Sequence, residues 1–164
     1  MHFGQRFDIH CTNSITDSGN ELKWVEKCRY LGVYLVSARR FKCSWHNAKC
    51  EFYHAFNDIF GWLGRSASSE VVLHLMRSKC IPVLLYGLDA CPINATDFKS
   101  LQHPITNIFM KMFATKSAEV VTECQQAFWF QSIHNQINCQ KIKFLTDMSS
   151  VLMVYVPLLV INAL

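Results

Sequence analysis

Residues 29–45, RYLGVYLVSARRFKCSW, decide the fold class, because the spacing of their apolar residues changes partway along. Alternation over the first seven residues predicts a strand. One face of the strand would hold Leu31, Val33 and Leu35, and the other face would hold Tyr30, Gly32 and Tyr34. Gly32 would let another backbone or a ligand approach the strand closely. From Ser44, an N-cap type of residue, the apolar spacing becomes about 3.6 residues, which predicts a helix.

Four more helical patterns follow the first one along the chain. They start after Ser68, after Asn94 or Thr96, after Ser117 and near Ile133. Pro82 should kink or break the second helix, and Pro104 interrupts the third. The order of elements predicts an α+β fold, in which a short N-terminal antiparallel β-element precedes a bundle of four or five helices.

The chain divides into three predicted segments: strands over residues 1–42, helices over 43–145 and a divergent apolar tail over 146–164. The tail contains VLMVYVPLLVI at residues 151–161, which is shorter than the roughly 20 residues that a transmembrane helix needs. We expect a buried strand or a partner-docking segment there, and a membrane anchor is the less favoured alternative.

Positive charge is concentrated near the start of the chain. Between Lys23 and Lys49 seven basic residues face one acid, Glu26, so this window carries +6 while the rest of the chain carries −2. A local basic patch indicates a polyanionic partner such as nucleic acid. The alternative is a solvated face of strands and loops.

Cysteine usage bears on the cellular compartment. The eight cysteines are irregularly spaced, no CxxC occurs, and the opening MHFGQRFDIH has no apolar leader region. We therefore expect reduced thiols in an intracellular protein of the nucleus or cytoplasm, and not a secreted protein.

One cluster, CSWHNAKCEFYH at residues 43–54, contains zinc-type ligands. They are Cys43, His46, Cys50 and His54. Eleven helical residues rise about 16 Å, so one helix offers only adjacent pairs of ligands, and two more would have to come from elsewhere. No GxSxG, P-loop or GxGxxG occurs, and the acids are scattered, so the residues themselves predict no catalytic site, and a zinc site on this cluster is the less favoured alternative to a polar helix face.

Longer stretches resemble a known family. RYLGVYLVSARRFKCSW, the run from AKCEFYHAFNDIFGWLG to VLLYGLDACPIN, and the later IFMKMF and ECQQAFWF resemble the polyprotein of non-LTR (LINE-type, jockey-like) retrotransposons. The similar region lies just downstream of the reverse transcriptase palm and covers about residues 1–133. Several features depart from the pattern, including Pro104 and everything after about residue 134.

The resemblance implies a C-terminal palm and thumb fragment of an RNA-directed DNA polymerase. The YLG strand is similar to a primer grip, and the helices are similar to the thumb that follows the template–primer duplex. The family's aspartates, which hold Mg²⁺ in the intact enzyme, belong to an earlier palm segment that this sequence does not contain. We therefore expect no polymerase activity from this chain alone and no cofactor bound by it.

Carried over by position, the resemblance implies weak binding of an RNA or DNA template–primer, and an association with the missing palm portion of a related polymerase. The implied nucleic-acid-binding residues are Arg29, Tyr30, Leu31, Gly32, Arg39, Arg40, Lys42, Lys49, Arg65, Arg77 and Lys79. The alternative function is a non-enzymatic helical module that binds other proteins or membranes, which the apolar tail suggests. A zinc module on the cluster at 43–54 is a third hypothesis.

Overall fold

The computed structural model describes Met1 and residues 3–4, 12–63 and 66–161, with side chains described as far as residue 149. Two small antiparallel sheets precede a set of packed helices. The predicted α+β class, with strands first and helices after them, is confirmed. The sheets are short because turn residues and glycines interrupt the first forty-four positions.

The first sheet has two strands and the second has three. β1 (Ser14–Ile15) pairs with β2 (Glu21–Leu22). β3 (Lys27–Tyr30), β4 (Val33–Val36) and β5 (Lys42–Ser44) follow each other in the order β3-β4-β5, and every pairing is antiparallel. The three-stranded sheet is the part of the fold that carries most of the predicted binding residues.

The stretch RYLGVYL is a hairpin, so the prediction of one continuous strand is wrong. Leu31 and Gly32 have φ angles of 46° and 81°, and Tyr30 pairs directly with Val33. Two consecutive positive φ values between paired strands are typical of a type I′ turn, whose twist matches that of the flanking strands. The turn places Tyr30 on the same face as Val33 and puts Tyr34 on the opposite face.

The helices occupy the rest of the described chain. They are α1 (His46–Leu63), α2 (Ser69–Leu75), α3 (Ile81–Leu85), α4 (Ala95–Met112), α5 (Ala118–Ala127) and α6 (Ile133–Ile161). A π-helical segment, Met76–Cys80, joins α2 to α3 without a break, so these three form one helical body. Counted this way, the described residues form five helical bodies, in agreement with the predicted four or five.

Local capping explains where several helices begin. The Asn94 side chain accepts a hydrogen bond from the Asp97 amide at 2.8 Å, and the Asp97 carboxylate accepts one from the Asn94 amide at 3.2 Å. This reciprocal pair is a capping box. Ser117 caps α5 at the predicted place. Ser44, however, is the last residue of β5 and α1 begins at His46, so the predicted N-cap of the first helix is wrong.

Neither predicted proline break occurs as expected. Pro82 is the second residue of α3, and the π-helical segment leads into α3 without a gap, so the helical path is not broken there. Pro104 lies inside α4 and is almost fully buried, and the helix continues past it to Met112. Burial of the proline ring in the core compensates for the hydrogen bond that the ring cannot donate.

The backbone of α6 extends through the predicted tail. The expected strand over residues 151–161 is therefore wrong, because this stretch is helical, and the helix passes without interruption across the predicted boundary at 145/146. Within the part of the chain whose side chains are described, no helix has the length and apolar character needed to cross a membrane.

One apolar core connects the sheet to the helices. Its largest fully buried side chains come from α1, the α2–α3 body, α4 and α6: Phe52, Phe56, Leu73, Met76, Leu84, Leu101, Ile105, Phe109 and Ile137. α1 packs against α2, the π-helical segment, α3 and α4, while α4 packs against α5 and α6. Val33, Leu35 and Cys43 reach the core from β4 and β5, which fixes the inner face of the three-stranded sheet.

Candidate nucleic-acid interface

The outer face of the three-stranded sheet is basic. Lys27 of β3 and Lys42 of β5 lie on either side of Val36 in β4, and Arg29 lies opposite Tyr34 one step along. Because side chains alternate along a strand and Leu35 packs inward, these residues point outward. We call Lys27, Arg29, Tyr34, Val36 and Lys42 the basic face.

Arg29 and Tyr34 form the centre of the basic face. The Arg29 guanidinium lies 5.9 Å from the centroid of the Tyr34 ring, within the range of a cation–π contact. This contact places the exposed Arg29 side chain beside the Tyr34 ring on the sheet surface. Such an arrangement offers a positive charge beside an aromatic ring.

Two further cations extend the basic face. Arg39 and Arg40 are exposed on the connection between β4 and β5, so five exposed positive side chains lie on or beside the sheet. Within the described residues none of the five forms an ion pair. Their charges are therefore available to an anionic partner.

The hairpin is held against the helices through its turn. The Tyr86 hydroxyl, just beyond α3, donates a hydrogen bond to the Leu31 carbonyl at 3.1 Å. A Cβ on Gly32 would lie 3.0 Å from Tyr86 Cε1, and a Cβ on Gly87 would lie 2.5 Å from Val33 Cγ2. The close approach predicted at Gly32 is present, but the group that approaches is an aromatic side chain of the same chain.

A groove of about 460 Å³ opens where the basic face meets α1 and α3. Arg29, Tyr34, Ser44, Asn47, Glu51 and Tyr86 are among its lining residues. The guanidinium offers donors to a phosphate, the two tyrosine rings offer stacking surfaces, and the amide and carboxylate offer hydrogen bonds to base edges. Such groups also occur in sites that bind nucleic acid.

Lys49 lies apart from the basic face, in a second groove between α1 and α4. Its half-buried ammonium donates a hydrogen bond to the Ser100 hydroxyl at 2.7 Å. Lys99, His46 and His103 line the same groove. Lys49 therefore belongs to a different surface from the hairpin residues with which it was grouped.

The remaining predicted contacts are also not brought to the sheet. Arg77 donates a hydrogen bond to the Phe128 carbonyl and covers the Phe130 ring at 5.5 Å, so it connects the π-helical segment to the end of α5. Lys79 is exposed on the π-helical segment. Arg65 lies outside the described residues.

The zinc-type cluster is divided by the fold. Cys43 lies in β5 with its sulfur 3.0 Å from that of Cys91, whereas Cys50 and His46 form a separate pair with their Sγ and Nε2 atoms 3.7 Å apart. His54 is exposed on α1. Over the residues that the structure describes, no group of three or more His, Cys, Asp or Glu side chains could hold a metal ion. The thiol and imidazole groups of this cluster do not suit the Mg²⁺ that the family resemblance implies for an intact enzyme, because Mg²⁺ prefers oxygen ligands.

An apolar cleft of about 830 Å³ lies behind the hairpin, between the turn after α3 and the middle of α6. Its apolar lining includes Tyr30, Leu31, Phe41, Tyr86 and Phe144. The Leu31 side chain is 74% exposed and that of Tyr30 is 63% exposed. Exposed apolar side chains gathered around one cleft indicate a contact surface.

Two residues of the candidate site were not identified from the sequence. Lys27 contributed to the basic window but was not assigned to the site, although its strand register places it beside Lys42 across β4. Tyr86 supports the hairpin from 55 residues away. The Tyr-Gly pair after an apolar run signals a turn, but nothing local indicates its partner.

No family model, curated protein or solved structure matches this chain.

Proposed function

We propose that the chain binds nucleic acid through the basic face, as the template–primer-binding part of a reverse transcriptase of the non-LTR retrotransposon type, without supplying catalytic residues. The observation that carries the proposal is the placement of Lys27, Arg29 and Lys42 on one side of the sheet around Tyr34. The family resemblance of residues 1–133 supports the same reading.

The spacing of the cations suits a phosphate backbone. Lys27 and Lys42 are separated by two strand spacings, which is about 10 Å. A duplex carries several negative charges over that length, so both ammonium groups can lie near phosphates together. Contacts of this kind give affinity and orientation without sequence specificity.

The partners follow from the same proposal. An RNA or DNA template–primer would occupy the basic face, and the palm portion of a related polymerase would supply the aspartates and the Mg²⁺ that they hold. Both partners place the protein inside the cell, in the nucleus or the cytoplasm.

A fluorescence anisotropy titration with a labelled RNA–DNA hybrid tests the proposal at low and at raised salt. We expect binding at low salt, with log K falling linearly as log salt concentration rises. In the Lys27→Gln/Lys42→Gln variant, affinity should fall on the order of tenfold and the salt slope should decrease by about 2.

A charge-matched control separates site binding from general attraction. Lys116→Gln/Lys143→Gln removes the same charge from exposed positions outside the sheet. Equal losses of affinity in the two double variants would refute the assignment of the basic face. If the folded wild-type chain does not bind at low salt, nucleic-acid binding itself is refuted.

A second candidate function rests on the apolar cleft. We propose as the alternative that it receives an apolar segment of another protein, since exposed Leu31, Phe41 and Tyr86 surround it. Titration with the apolar dye anilinonaphthalene sulfonate tests access to it. We expect enhanced emission that Leu31→Lys/Phe41→Lys abolishes and Trp62→Lys, at an 89% exposed side chain of α1, leaves unchanged. Equal signals from both variants would exclude the cleft.

A further inference from the structure

We propose that Cys43 and Cys91 are a dithiol site that a small-molecule disulfide, such as oxidised glutathione, converts to an intramolecular disulfide. The two sulfurs lie 3.0 Å apart although the residues are 48 positions apart in sequence. Both side chains are buried, at 4% and 8% exposure. The inference does not depend on the proposed nucleic-acid binding.

The geometry requires little rearrangement. A disulfide bond is about 2.05 Å long, so the sulfurs must approach each other by about 1 Å. Cys43 lies in β5, paired with Leu35, and is fixed by the sheet. Cys91 lies in the non-helical segment between α3 and α4, which has no strand or helix pairing to resist the movement. The loop side of the pair can therefore supply most of the displacement.

The two thiols have different access to a reagent. Cys91 lines the apolar cleft, whereas Cys43 does not. Burial, together with the hydrogen bond to Cys91, raises the pKa of the Cys43 thiol to about 12, so this group is a poor first nucleophile. Cys91 is therefore the attacking residue, and Cys43 is the residue that closes the disulfide.

The reaction balances in two exchange steps. The Cys91 thiolate attacks one sulfur of the reagent, forms a mixed disulfide and releases one reagent thiolate, which takes up a proton. Cys43 then loses its proton to water and attacks Cys91 Sγ, and the second reagent thiolate leaves and takes up a proton. The two protein thiols are oxidised, and one disulfide is reduced to two thiols.

The cross-link would fix the sheet to the helical body. It joins β5, which carries Lys42 of the basic face, to the segment that follows α3 and contains Tyr86. Closing a loop of this length removes conformational entropy from the unfolded chain. We expect the melting temperature of the oxidised protein to rise on the order of 10 °C.

Peptide mapping tests the site in the full chain. The folded protein is treated with oxidised glutathione, free thiols are blocked with N-ethylmaleimide, and tryptic peptides are analysed without reduction. Cleavage after Lys42, Lys49, Lys79 and Lys99 gives residues 43–49, with Cys43 as the only cysteine, and residues 80–99, with Cys80 and Cys91. We expect these two peptides to be joined, with fragmentation assigning the bond to Cys91.

Cys80 provides the matched control because it lies in the same peptide and is also buried. Cys91→Ala should abolish the joined peptide, and Cys80→Ala should retain it. Three results with the wild-type protein would overturn the proposal. Cys43 could be recovered as the maleimide adduct, which means that its thiol was not oxidised. Only a glutathione adduct could form on Cys91, or fragmentation could assign the bond to Cys80. These wild-type outcomes decide the question even where a variant does not fold.

Discussion

Replacing Gly87 with alanine should destabilise the protein by two separable effects. Gly87 has a φ of 74°, which costs an L-residue about 1–2 kcal/mol. The new Cβ would also lie 2.5 Å from Val33 Cγ2, closer than carbon atoms approach without displacement. Displacing the hairpin or the turn to relieve this contact should add about 1–3 kcal/mol. We therefore expect a total loss of about 2–5 kcal/mol in the free energy of unfolding.

A double-mutant cycle separates the two effects. Val33→Ala removes the methyl groups that the new Cβ would meet, and the nearest remaining atom of the pair is then the Val33 Cβ at 4.0 Å. In this background Gly87→Ala should cost only the backbone part, about 1–2 kcal/mol. The coupling between the two substitutions should be about 1–3 kcal/mol in the stabilising direction.

Urea unfolding followed by far-ultraviolet circular dichroism measures all four corners of the cycle. A change in the midpoint at a constant slope reports stability, and each kcal/mol should also shift the melting temperature by about 2–4 °C. Additivity within about 0.5 kcal/mol would refute the steric contact between the hairpin and the turn after α3. A Gly87→Ala variant as stable as the wild type would refute both parts of the reasoning.

Three further predictions concern single interactions. Tyr86→Phe removes the hydrogen bond to Leu31 and should lower the free energy of unfolding by about 0.5–1.5 kcal/mol in urea titrations. Asn94→Ala removes half of the capping box and should cost about 1 kcal/mol, whereas Asn94→Ser should restore most of it, as thermal melts would show. Because the raised pKa of Cys43 keeps this thiol protonated in the folded chain while the unfolded chain loses the proton, stability should fall as the pH rises from about 9 to about 12. Cys43→Ala should flatten that decline in pH-dependent unfolding, and an unchanged slope would contradict the assignment.

Local signals allowed the helix starts to be predicted. Asn94 and Ser117 satisfy exposed amides within three residues of their own position, so their effect can be read from a short window. Ser44 failed as a cap because β5 uses it in a pairing with Tyr34, a contact that the local window does not contain. Helix existence was therefore easier to predict than the exact boundary between sheet and helix.

The hairpin could not be predicted for a related reason. A leucine at positive φ is unfavourable by about 1–2 kcal/mol, so Leu-Gly is a weak turn signal. The native turn is supported by the Tyr86 hydroxyl and by packing against Gly87, both more than fifty positions away. Side-chain alternation alone suits one strand as well as two strands of a hairpin.

The candidate site was predicted only in part. The basic window coincides with one part of the fold, since Arg29, Arg39, Arg40 and Lys42 all lie on or beside the three-stranded sheet. Composition does not distinguish an available cation from one already engaged. Arg77 was assigned to a ligand but contacts Phe128 and Phe130, because the end of α5 folds back over the π-helical segment.

The π-helical segment should tolerate the loss of one residue, which a regular α-helix does not. An α-helix turns about 100° per residue, and a π-helical turn accommodates one residue more than an α-helical turn does. Deleting one residue from Met76–Cys80 would therefore restore regular α-helical pairing and leave Tyr86 facing Leu31. A deletion within a purely α-helical stretch such as α4 would instead rotate everything after it by about 100°. A scan of single-residue deletions would thus identify Met76–Cys80 as a tolerant segment, which a scan of substitutions would not.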